Sequence, residues 1–205
     1  QELGSFSAGD FAFTLGVGIP VDTNFTVGAN LKYLYSSIAD YSSTGLVLDL
    51  GGTYYSKKRQ FTAALLVKNL GYQLTAYSED NKEKIPTEIQ IGISKQLKHA
   101  PFRFSVIAEN LQQWDLTYVN PNETQSIDPV TGEVVAENKF EFGDKLMRHL
   151  IIGTELMLSD NFQIRLGYNY RRRQEMKLAD KAGIAGLSFG FGVRIKRFRI
   201  SYGRA

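Results

Sequence analysis

Residues able to do acid–base, nucleophilic or metal chemistry are scarce in this sequence, and their spacing works against them. The nearest approach to a catalytic pair is His149 with Glu155, on one face of a strand-like stretch. At ~3.3 Å per residue they stand about 20 Å apart, too far for direct contact. Two His and no Cys leave little from which to build a metal site. A Ser-His-carboxylate set has no nucleophile elbow to support it. Gly186, Gly190 and Gly192 do not form a phosphate loop, because they lie within a strand pattern that no helix follows. They suit a place where curving strands would otherwise be crowded. We therefore expect a non-enzymatic protein with no catalytic residue, no metal and no cofactor.

What remains is chemistry of contact. Trp114 and Tyr118 flank Asp115 in the longest polar connection; they can anchor a surface partner, since buried aromatics dominate interface energy. They can equally pack that connection onto the domain beneath it. Arg171, Arg172 and Arg173 form a basic run able to fork onto phosphate oxygens, or to stay solvated. Lys57, Lys58, Arg59 and the Lys196-Arg197 pair sit in tight turns and are expected to keep them soluble. Nucleic acid is not implied: 24 basic and 21 acidic residues are interspersed, for a net charge of +3.

The elements that position these residues are strands. Phe162, Ile164, Leu166, Tyr168 and Tyr170 alternate with Gln163, Arg165, Gly167 and Asn169, giving one apolar and one polar face. Phe25, Phe61, Phe102, Phe162 and Phe198 each stand one residue beyond a short polar turn. All five read as strand starts at the same end. Their irregular spacing excludes a solenoid of fixed period and suits hairpins with loops of variable length. The same reading gives ten strands, joined alternately by connections of a few residues and by long ones; residues 36–45, 71–85, 112–144 and 171–181 are read as the long loops. Eleven Tyr and thirteen Phe against one Trp agree with a strand-rich chain.

That alternation decides the expected fold class: an all-β, antiparallel outer-membrane β-barrel, with short turns on the inner side and long loops outside. Expected strands of ~9 to 13 residues match a tilted membrane crossing. Lys32, Asp49, Arg103, Glu109, Glu155, Arg165 and Arg194 fall on the polar face, where they can pair in a wet lumen but would be costly in lipid. Tyr33, Tyr35, Tyr168 and Tyr170 are expected in an outer aromatic girdle and the five Phe in an inner one. Arg171, Arg172 and Arg173 would then meet lipopolysaccharide. A lipocalin-like or sandwich protein is the soluble alternative. Both chain ends would lie outside, so residues 1–205 are expected to be a single barrel domain continued by at least one strand at each end.

Two stretches carry a family resemblance. Residues 186–194 and 197–205 are similar to the distal part of the PorV/PorQ family of FadL-like outer-membrane barrels, which serve the type IX secretion system. Leu48-Asp49-Leu50-Gly51, Val67-Lys68-Asn69-Leu70-Gly71 and Ala108-Glu109-Asn110-Leu111 resemble it too. The resemblance implies a barrel of about fourteen strands, of which this chain holds about ten, lying in the bacterial outer membrane. It also implies a docking role in the cell-surface attachment complex, with a PorZ-like surface protein as partner. No functional residue is carried over. The FadL-like architecture suggests, as the alternative, a transporter of small hydrophobic solutes.

Overall fold

The computed structural model of the protein describes residues 7–77, 82, 84–117, 142–176 and 183–204. Ten antiparallel strands form one sheet whose order follows the sequence. They are β1 (Ala8–Pro20), β2 (Phe25–Ile38), β3 (Tyr41–Ser56), β4 (Phe61–Thr75), β5 (Glu88–Gln96), β6 (Phe102–Ala108), β7 (Leu150–Ser159), β8 (Phe162–Asn169), β9 (Leu187–Ile195) and β10 (Phe198–Arg204). Two short helices accompany them, α1 (Phe142–Arg148) and α2 (Tyr170–Glu175). Every even-numbered strand begins on one of the five Phe picked out by the turn pattern. Among the described residues no helix is long and apolar enough to cross a membrane.

The chain divides into two compact units, residues 1–94 and residues 95–205. In the first unit β1 to β4 pair as successive hairpins. Residues 36–45 do not form the expected loop. β2 and β3 run on until Ile38 meets Tyr41, and Ala39, at φ 52°, opens a two-residue turn. The Ser and Thr residues that suggest a loop instead face one another across the ladder, Ser36 opposite Ser43 and Ser37 opposite Ser42. β4 likewise continues to Thr75, so the connection after it starts later than expected.

The register of β3 with β4 slips at Asp49, where Lys68 and Asn69 together oppose one residue. Asn69 adopts φ 58°, a left-handed geometry that Asn tolerates better than most residues. The strands then close so tightly that Gly71 packs against the Leu46 carbonyl. A second left-handed Asn, Asn110 at φ 55°, follows β6 in the second unit.

In the second unit β6 to β10 pair in the same manner. Two segments expected as loop are helical at their ends: α1 closes the long connection before β7, and α2 follows β8. The Asn169 side chain accepts from the Arg172 N–H at 2.9 Å and starts α2. Tyr170 therefore leaves the strand alternation and does not join Tyr168 on the apolar face.

The sheet is polar where it is covered and apolar where it is bare. Along the first part of β3 the buried positions are Ser43, Gly45, Val47 and Asp49, while Leu50 on the opposite face is exposed; Ser56, at the strand's end, is buried as well. In β9, Gly190 and Gly192 are buried, and Leu187, Phe189 and Phe191 are exposed. Phe11, Phe13 and Leu15 of β1 are 70, 72 and 68 % exposed. Among the described residues Val47 is the one fully enclosed aliphatic side chain. It lies on the polar face, where Ile85 of the β4–β5 connection approaches the neighbouring Gly45.

Candidate functional site

The polar face carries most of the ionic residues of the sheet, and within each unit several of them pair. In the first unit Lys32 Nζ lies 2.6 Å from Asp49 Oδ2. The Asn69 N–H donates to Asp49 Oδ1 at 3.0 Å, so the bulge supplies the second partner of a buried carboxylate. Lys68 pairs with Glu88 at 2.9 Å. Nearer the other end of these strands Ser36 donates to Asp10 and receives the Tyr77 hydroxyl. Asp10 and Ser36 border a cavity of about 390 Å³, whose apolar lining includes Phe11, Leu34, Ile85 and Pro86.

In the second unit Glu155 sits between two guanidinium groups, Arg103 at 3.1 Å and Arg165 at 3.6 Å. The other cluster gathers around His149, which is 2 % exposed. His149 belongs to the turn before β7 and is far from any pairing with Glu155. Its Nδ1 lies 2.8 Å from the Glu109 carbonyl and its Nε2 3.1 Å from that of Trp114. The imidazole also stacks on Trp114, with centroids 5.5 Å apart.

The candidate partner residues meet here in part. Trp114 rests on His149 and, at 5.3 Å, on Phe142 of α1, leaving about half of its surface exposed, 50 %. Asp115 binds Lys145 of α1 at 2.6 Å and accepts from the Thr117 N–H at 3.0 Å. Tyr118 lies outside the described residues. The three Arg do not converge, because successive positions on a helix point in different directions. Arg171 pairs with Glu109 at 3.2 Å, without the angles of a hydrogen bond, and with Glu175 at 3.7 Å. The Arg172 Nε lies 3.4 Å from Met176 Sδ, and Arg173 donates to the Gly183 carbonyl.

No family model matches the chain, and no curated protein matches it. The cluster itself shows what sequence spacing missed. Asp144 and Arg148 are an i,i+4 pair within α1, at 2.7 Å, and Tyr170 donates to Asp144 at 2.7 Å. The i,i+4 spacing was the available signal for a helix, hidden at the end of a segment rich in turn residues.

These contacts make the cluster sensitive to acid. Burial opposes ionisation of Asp144, yet the bonds from Arg148 and Tyr170 outweigh it and hold the carboxyl below its usual 3.8. Lys145 and Thr117 hold Asp115 far below that value as well. A carboxyl lowered by folding stabilises fully above its unfolded pKa, and that stabilisation is lost as pH falls through the folded one. α1 should therefore loosen from Trp114 and α2 only below pH 3.8. Trp114 is the single Trp of the chain, so its emission should redden in that range. An emission that stays unchanged as the pH is lowered well below that value would contradict these bonds.

Proposed function

We propose that the protein is a non-enzymatic, multi-pass β-barrel subunit of the bacterial outer membrane, of the PorV/PorQ type, docking the cell-surface attachment complex of the type IX secretion system. The observation that carries the membrane half is the polarity of the sheet. Its apolar face is bare along β1 and β9, while its polar face holds the ion pairs and buried polar groups. Such a sheet is matched by hydrocarbon outside and water inside, the arrangement of a transmembrane barrel. The strand lengths of β1 to β4, 13 to 16 residues, exceed what a crossing needs. The docking half is supported by the resemblance to that family. The Trp114 cluster offers a half-exposed aromatic for a PorZ-like partner, and Arg171 to Arg173, in the same unit, are the proposed contacts for lipopolysaccharide.

A transporter of small hydrophobic solutes is the second reading, favoured by the cavity beside Phe11 and Ile85, which is large enough for a small ligand.

Leu15→Arg tests the membrane half. It places a guanidinium near the middle of β1 on the bare face and should cost about 2 to 4 kcal/mol in lipid vesicles. Gly18→Arg on the other face, where a Cβ meets nothing within 4 Å, should cost under about 1 kcal/mol. Equal costs would remove the membrane reading. Mild purification of the full-length protein from its native envelope tests the docking half: surface-attachment components should stay bound and be lost in Trp114→Ala. A barrel recovered alone would leave the transporter.

A further inference from the structure

We infer that the polar face of β6 to β10 contains a binding site for a small polar solute bearing a phosphate or carboxylate group, with Arg165 as its anchor. The inference asks only that this face be wet.

Register places Arg103, Glu155, Arg165, Gly190 and Gly203 side by side on β6 to β10. One carboxylate thus serves two guanidinium groups, and it serves them unequally. Arg103 donates to Glu155 Oε2 at 3.1 Å and to Gln96 Oε1 at 3.2 Å. Arg165 comes only within 3.6 Å of Glu155 Oε1, beyond hydrogen-bond range. Its Nε is shut off from solvent and has no hydrogen-bond partner. The side chain as a whole is 43 % exposed, so its terminal N–H groups are the ones an oxyanion can reach.

The space for that anion exists beside it. Arg165 lines a cavity of about 440 Å³, with Glu155 at one side. Three of its lining residues are Gly153, Gly167 and Gly190, and at each a Cβ would come within 2.6 Å of a neighbouring oxygen. Ser105, Ser188 and Ser201 add hydroxyls that can donate to an oxyanion or bind the hydroxyls of a polar solute. With Glu155 already engaged by Arg103, the charge facing the cavity is positive. Toward the turn end Arg194 and Arg199 stand directly opposite one another beside Asp160, a like-charged pair that an approaching anion relieves.

The measurement is calorimetric titration of the full-length protein in detergent with inorganic phosphate, and separately with acetate, at constant ionic strength in chloride. Saturable binding of one or both is expected, and which anion binds identifies the group recognised. Arg165→Gln should weaken it about tenfold or more. Arg165→Lys, which keeps the charge but loses the fork, should fall between. Arg197→Gln, in the β9–β10 turn, should change nothing. Absence of saturable binding for both anions overturns the site. So does equal affinity in Arg165→Gln and Arg197→Gln, which would mean general attraction to a basic protein.

Discussion

Gly71→Ala should cost about 3 to 5 kcal/mol of stability in denaturant unfolding of the full-length protein in lipid vesicles. The reason is local and rigid. A Cβ on Gly71 would lie 2.1 Å from the Leu46 carbonyl oxygen, 2.7 Å from Val47 Cα and 2.9 Å from Val47 Cγ1. Two of the three are backbone atoms of β3, so no rotamer change relieves the contact; β3 and β4 must part just where the bulge at Asn69 has drawn them together. Val47, the enclosed residue of the polar face, would lose its seat. Gly52→Ala is the comparison. There a Cβ meets nothing within 4 Å, and the substitution should be neutral or stabilise by up to about 1 kcal/mol through the unfolded chain. Similar unfolding midpoints for the two variants would show that the β3–β4 approach is looser than described.

Lys32→Met should cost about 3 kcal/mol near neutral pH. It strips the ammonium from a carboxylate that is buried among β2, β3 and β4, and an uncompensated buried charge costs about 3 to 5 kcal/mol. The lower end applies because Lys32 keeps some contact with solvent, its side chain being 22 % exposed. The double variant Lys32→Met with Asp49→Leu should recover most of the loss, since removing both ions also removes the desolvation each one carries. The recovery should fall short by about 1 kcal/mol, because the Asn69 N–H then loses its acceptor. A double variant no more stable than the single one would mean that Asp49 acts mainly by holding the bulge rather than by pairing with Lys32.

The strands were legible where each carries its own signal, less so in β4, whose alternation is broken by the bulge opposite Asp49. The five Phe after short turns mark five strand starts, and the period-2 alternation orients the apolar face, so the polar-face placement of Lys32, Asp49, Arg103, Glu155 and Arg165 follows from parity alone. Loops were legible only where turn residues had no partner across the ladder. At residues 36–43 Ser looked like loop, yet its hydroxyls can face one another across paired strands as readily as water, and nothing in local composition separates the two.

The candidate site was legible by residue but not by arrangement. Trp114 and Asp115 were singled out by type, while the partners that hold them, Phe142, Lys145 and His149, come from a distant helix and turn. Arg171 was placed in a basic run; its companion Glu109 lies on the far side of the longest connection.

By itself, then, the amino-acid sequence determined the all-β class, ten strand positions, the two faces of the sheet and the poverty of catalytic groups, because these depend on neighbours one to four residues apart. Tertiary structure alone decided which charges pair, where Asn69 bulges, that Gly71 has no room for a side chain, and that Arg165 is held more loosely by Glu155 than Arg103 is, beside an open cavity. Those outcomes depend on register across strands, and register is set by the sum of many contacts that no single stretch of sequence contains.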